Sequence, residues 1–176
     1  MDRAIANVDG ALTLIEEMGA SPWLVRHHQL VAEAAGELCS ALTESHGEVI
    51  DAVEVTVGAA LHDVGKIEFP NEMMEPGNRH ESAGRRLLLA KGVSDQFARH
   101  CELHSSWGEA DELEPLLVAL ADKLWKGKRV PALEERVVMR LAAVVGVGFW
   151  DAYPPSTELF DEIASRGSER LKRSDV

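Results

Sequence analysis

Leu61-His62-Asp63-Val64-Gly65-Lys66, residues 61–66, is the stretch on which the reading of this chain turns. Adjacent His and Asp set two metal-ligand side chains side by side, and Lys66 adds a cation suited to phosphate. More residues of ligand type lie outward from it: His27 upstream, and His80, His104 and Asp122 downstream. The apolar residues between them recur at helical spacing. Six such side chains on a helical framework predict a metal centre inside a helix bundle.

The 176 residues are read as one domain over 1–176, with a motif-bearing core at about 22–130 and helices over 131–172 completing the bundle. The apolar share of 45% is enough for a buried core. A net charge of −12 argues against a nucleic-acid polymer or an anionic membrane as the main partner, and leaves a homodimer open. Cys39 and Cys101 have no CxxC spacing, so they read as two buried thiols of a cytoplasmic protein rather than a disulfide or thiolate zinc site. Asp2, Arg3 and Asn7 interrupt any apolar leader. Leu141 to Trp150 is the longest near-apolar run; it is about half a membrane span and reads as a buried helix.

Seven to nine helices are expected, with no competing strand pattern. A short helix over Asp9–Met18 ends at Gly19. Ser21-Pro22 caps the next, which carries Leu24, His27, Val31, Ala34, Ala35, Leu38 and Leu42 on one stripe. His28, the competitor to His27 as a ligand, lies about 100° away from that stripe, so helical phase and the Val31-Ala32 spacing favour His27. A third helix, Glu48–His62, is expected to face Val49, Ile50, Val53, Val57 and Leu61 inward and Asp51 and Glu54 to water, with Gly65 as its stop. Ile67–Arg79 reads as a loop, with His46 in another. Helices follow over Glu81–Lys91, Ser94–His104, Leu113–Leu124 and Pro131–Trp150. Pro154-Pro155 is expected to break the chain before a last helix from Ser156 to Leu171 and a frayed tail. Trp107, Trp125 and Trp150 read as core or rim packing, and His100 as a partner or solvent residue.

These elements can bring the ligand types together. Asp63 has two carboxylate oxygens and can bridge two metals. His62 serves one of them, with His27 from the facing helix and Asp122 from an apolar helix. His80 and His104 sit at helix ends, placed to lean over a cavity and hold a second metal. An unpaired carboxylate at Asp122 would otherwise be costly among apolar neighbours.

With these residues in place the chain resembles a known family. His27 with Val31-Ala32, then His62-Asp63-Val64-Gly65-Lys66, then Asp122 is similar to the H…HD…D pattern of the HD-domain superfamily, and the likeness spans about residues 22–130. His80-Glu81-Ser82-Ala83-Gly84 and the later His104 resemble the extra ligands of its binuclear (HDIG) members. The run from His80 to Arg129 is similar to the YqeK-like nucleotide hydrolases, which cleave diadenosine tetraphosphate with two irons. Where those proteins carry a Pro-Gly-Arg element, this chain reads Lys123-Leu124-Trp125-Lys126-Gly127-Lys128-Arg129.

The resemblance implies an all-α HD bundle with the metal site in its core. It further implies a phosphohydrolase acting on a phosphoester or phosphoanhydride of a small phosphorylated metabolite, a nucleotide or dinucleotide first, through a metal-activated water. Two divalent ions are expected, Fe or Mn foremost, with Ni, Co, Zn and Mg as alternatives. Asp63 and Lys66 would carry the catalysis. Lys66, and a basic island of four cations from Lys123 to Arg129 on an acidic chain, with Lys126, Lys128 and Arg129 its substrate-binding members, would meet the substrate. Two rivals stand beside this reading. A mixed-valent di-iron oxygenase of the same fold needs the same ligands. A non-catalytic HD binding or regulatory domain would need none, and this chain keeps all six.

Overall fold

The computed structural model describes residues 5–175; Asp2 and Arg3, part of the N-terminal reading, and Val176 of the tail lie outside the described residues. The α-helices are α1 (Val8–Glu17), α2 (Pro22–His46), α3 (Ala52–Leu61), α4 (Arg79–Ala90), α5 (Asp95–Ala98), α6 (His100–Leu103), α7 (Leu113–Leu124), α8 (Pro131–Val145), α9 (Phe149–Ser165) and α10 (Gly167–Ser174). Eight of them have eight or more residues, and no strand occurs among the described residues. The all-α bundle expected from periodicity is therefore what the chain forms.

Three helices make the frame on which the ligands sit. α2 packs against α3 and α7, and α3 packs against α7. Ser21 caps α2, its side chain accepting from the Leu24 amide at 3.3 Å, and Pro22 opens it. α7 is buried on nearly every side, from Leu113 through Leu116–Asp122 to Leu124. A helix apolar all round belongs at the centre of a bundle. α4 lies on the 3₁₀ turn Val64–Ile67 that follows α3, and α8 to α10 close the other side, α9 and α10 reaching α2. Arg170 of α10 is only 1% exposed. Its guanidinium is compensated by Glu37 at 2.6 Å, by the Ile163 carbonyl at 2.9 Å and by Glu33 at 3.4 Å. No helix among the described residues is long and apolar enough to cross a membrane.

Several local expectations are corrected. α2 runs on to His46 and is closed by Gly47. α3 starts at Ala52, not Glu48, with Asp51 as its cap, and its phase differs: Val53 is 48% exposed while Glu54 is buried. Glu54 turns inward because α5 and α6 pack there and supply Gln96, Arg99 and His100 as partners. Ile67–Arg79 holds a second 3₁₀ turn, Pro70–Met73. Ser94–His104 is two single turns rather than one helix. The helix from Pro131 stops at Val145, where Gly146 takes a left-handed φ of 80°. Trp150 is 77% exposed, so Leu141–Trp150 is not one buried helix. Pro154-Pro155 does not break α9. The carbonyls that lose their donors belong to Trp150 and Asp151, both exposed and open to water. The tail is helical to Ser174.

Gly65 does not stop a helix by left-handed geometry; its φ is not positive. Its role is proximity. A Cβ there would stand 1.9 Å from the His80 carbonyl oxygen and 2.6 Å from the Gly84 nitrogen. Gly65 and Gly84 thus let α4 lie backbone against backbone on the His62-Asp63 turn.

Candidate metal centre

All six expected ligands come together, none more than 6% exposed. α2 presents His27; the end of α3 presents His62 and Asp63; α7 presents Asp122 from its last turn; the first turn of α4 presents His80; and His104 follows α6. Asp63 is the centre of the group. Its Oδ2 lies 3.1 Å from His27 Nε2 and 3.5 Å from His62 Nε2, while its Oδ1 lies 3.1 Å from His80 Nε2 and 3.5 Å from His104 Nε2. Asp122 Oδ1 is 3.6 Å from His62 Nε2. Two sets of donor atoms fall within 4.8 Å of one another: His27, His62 and Asp122; and His62, Asp63 and His104. His80 joins through Asp63.

The ring orientations are fixed from behind. His62 Nδ1–H donates to the Ala59 carbonyl at 2.8 Å, and His104 Nδ1–H donates to the His100 carbonyl at 3.1 Å. His80 Nδ1–H donates to Glu72 Oε2 at 2.6 Å. A carbonyl or carboxylate can only accept, so each Nδ1 carries the proton and Nε2 faces the centre. Such partners are what hold a ligating imidazole in its tautomer. His62 Nε2, His80 Nε2 and Asp63 Oδ1 are buried and have no aligned hydrogen-bond partner. Buried polar atoms are rarely left so, and unpaired imidazole nitrogens beside buried carboxylates fit a divalent metal.

The charges are arranged to suit. Burial opposes ionisation of Asp63, but the imidazoles of His62, His27 and His80 outweigh it and hold the carboxyl well below its usual range. Burial likewise opposes Asp122, and His62 with Lys123 overcomes it. Burial pushes His27 down and His104 to about 4, so both rings are neutral at pH 7, the form a metal ligand requires. His80 is the exception: burial is outweighed by the carboxylates of Asp63 and Glu72, and its pKa rises.

Cations flank the carboxylates. Lys66 Nζ is 2.5 Å from Asp63 Oδ2, Lys123 Nζ is 2.6 Å from Asp122 Oδ2, and Lys126 Nζ is 3.9 Å from Asp122 Oδ1. The three are part-exposed, and so mark the edge of the centre. Lys128 is exposed. Arg129 is not brought to the centre. Glu134 holds its guanidinium through two bonds of 2.7 Å, and Asp161 takes a third. Sequence reasoning missed Glu72, whose Gly/Pro-rich surroundings carry no signal, and Lys123, which it counted in the basic island without assigning it a role. It set His28 aside as the alternative to His27, yet His28 is fully buried and accepts the Asp63 amide at 3.2 Å. His100 pairs with Glu54 at 3.2 Å. Cys39 and Cys101 are buried free thiols; burial pushes Cys39 up to about 12.

A family model described as HD domain matches residues 24–126, a span that includes all six candidate ligands. The chain is 26% identical over 151 residues to a protein of Thermoplasma volcanium named tRNA (cytidine(56)-2'-O)-methyltransferase; the match covers 77% of this chain and 41% of that relative. The chain therefore spans less than half the length of that relative. No solved structure matches the chain significantly.

Proposed function

Because this chain belongs to the HD-domain family, we propose that it is a metal-dependent phosphohydrolase with a two-ion centre, acting on a small phosphorylated metabolite, a nucleotide or dinucleotide first. The observation that carries this reading is the division of Asp63, with one oxygen toward His27 and His62 and the other toward His80 and His104. His27, His62, Asp63 and Asp122 would hold one ion, and Asp63, His80 and His104 the other, with Fe or Mn the first choice for an N/O donor set. When bound, such ions supply Lewis-acid polarisation of a phosphoryl oxygen and an acidified water.

The chain's own residues do the rest. The imidazoles and carboxylates are all buried, which keeps bulk water from them. Lys66, Lys123 and Lys126 set three ammonium groups at the rim, where they would neutralise phosphate oxygens and orient the scissile bond. Arg129 is paired with Glu134 and Asp161, away from the ligand carboxylates that Lys66 and Lys123 meet. The methyltransferase name belongs to a relative more than twice as long as the stretch it shares with this chain. A net charge of −12 does not suit this chain to holding tRNA on its own.

The test begins with metal content per chain, on protein purified without added metal or chelator, for the wild type, Asp63→Ala and His104→Ala. Two ions in the wild type, none in Asp63→Ala and about one in His104→Ala is the expected result; this stepwise loss follows from the bridging position of Asp63. Equal loss in both variants would overturn the bridge. Phosphate release from a nucleotide and dinucleotide panel should follow, with oxygen uptake measured alongside. Oxygen uptake without phosphate release would favour the oxygenase, and a wild type that binds no metal would favour a non-catalytic domain.

A further inference from the structure

α3 ends through an exchange of hydrogen bonds. In a continuing helix the Asp63 amide would donate to the Ala59 carbonyl. That carbonyl is taken instead by the His62 ring, whose Nδ1–H donates to it at 2.8 Å. The displaced Asp63 amide donates to His28 Nε2 at 3.2 Å, across from α2. Asp63 then sits at φ −106°, ψ 11°, outside helical geometry, and the chain turns into Val64–Ile67. Two side-chain bonds replace one backbone bond, and the result is a backbone that points the Asp63 carboxylate between two groups of imidazoles.

His28 is wholly enclosed. Its ring stands edge-on to His62, with centroids 5.4 Å apart at 72°, and tilted against His27 at 5.5 Å. To accept from an amide, Nε2 must hold a lone pair, so the proton is on Nδ1. With Nε2 given to the amide, His28 cannot also be a ligand. The adjacent histidines thus divide the work: His27 meets the carboxylate of Asp63, and His28 holds its backbone. Were that acceptor removed, the buried amide would be left unpaired, or would return to Ala59 and compete with His62.

We propose that His28 is the positioning residue that sets the bridging geometry of Asp63, holding its backbone amide through Nε2 so that each carboxylate oxygen faces its own set of ligands. This rests on the metal-centre reading above. The first experiment therefore uses metal-free wild type. Nitrogen-15 NMR should show the Nδ1–H tautomer for His28 and a scalar coupling from the Asp63 amide to Nε2. An Nε2–H tautomer, or a doubly protonated ring at pH 7, would overturn the assignment, whatever metal does.

The second experiment titrates Co²⁺ alone into wild type, His28→Leu and His28→Gln, following its visible absorption. His28→Leu should bind at least about tenfold more weakly, as for other groups that orient a ligand, with a changed band shape. His28→Gln can present an amide oxygen to the Asp63 N–H and should stay within about threefold of wild type. Wild-type affinity and spectrum in His28→Leu would overturn the proposal. If His28→Leu does not fold, the NMR result and His28→Gln decide. Failure of the wild type to bind Co²⁺ would instead sink the metal centre, and leave the His28–Asp63 bond to be judged by NMR.

Discussion

Gly65→Ala tests whether α4 is positioned for the centre by backbone contact. The added Cβ would fall 1.9 Å from the His80 carbonyl oxygen, 2.7 Å from its carbonyl carbon and 2.6 Å from the Gly84 nitrogen. All three are main-chain atoms, so no side chain can swing aside. Even the tightest tolerated contact, 3.0 Å, requires α4 or the 64–67 turn to retreat by about 1 Å, and close-packed interiors do not absorb that locally. Overpacking of this kind costs about 1–3 kcal/mol, and backbone against backbone belongs at the upper end. For a chain of this size each kcal/mol lowers Tm by about 2–4 °C, so a fall of roughly 6–12 °C is expected for the metal-free protein. Metal–ligand distances are held to within about 0.2 Å of their preferred values in a well-formed site, much less than this retreat. Because His80 rides on α4, the ion on its side should be lost first, while His27, His62 and Asp122 on α2, α3 and α7 keep theirs. Gly84→Ala should do less, since its Cβ meets Cys101 Sγ at 2.9 Å and the Gly65 nitrogen at 3.1 Å. Melting curves with chelator, and metal per chain without it, read both effects. A Gly65→Ala protein with wild-type Tm and two ions would refute the reasoning.

Two further outcomes are expected. Glu72→Gln keeps an acceptor for His80 Nδ1 but removes the charge behind the ring; the ion on the His80 side should bind about 10-fold more weakly in a chelator competition, with the other unchanged, and equal weakening of both would contradict the division at Asp63. Glu54 titrates at about 2 in the folded protein against an ordinary 4.5: burial raises it, and the hydrogen bonds from His100, Arg99 and Gln96 more than compensate. A depressed carboxyl stabilises the fold above its unfolded pKa and ceases to do so as pH falls from about 4.5 through 2, a loss of at most about 3 kcal/mol. Urea unfolding of metal-free Glu54→Gln should lack that part of the acid loss; an acid limb as steep as the wild type's would show that Glu54 is not its source.

What was legible in the sequence is the set of candidate ligands that the fold gathers, because each reports itself by residue type and by its place on a helix. His27 lies on the apolar stripe of α2, Asp122 interrupts an otherwise apolar α7, and His62-Asp63 stands where α3 ends. What was not legible is whatever depends on a second element crossing the first. Val53 and Glu54 exchanged their expected faces because the partners of Glu54 lie 42 to 46 residues away, on turns whose packing no local period records. Gly65 looked like a helix stop because glycine commonly is one; only the approach of α4 shows that the missing Cβ makes room for a neighbour. Arg129 belonged by charge to the basic island, yet Glu134, five residues on, claims it. Glu72 and His28 failed to show for the same reason. Each acts on a ligand through an atom turned away from the centre: the Nδ1 of His80, the amide of Asp63. Ligand type can be read along the chain, but orientation is decided at those rear-facing atoms. In a centre built from helix ends, where backbone donors and acceptors fall free, the groups that satisfy them are where geometry is set.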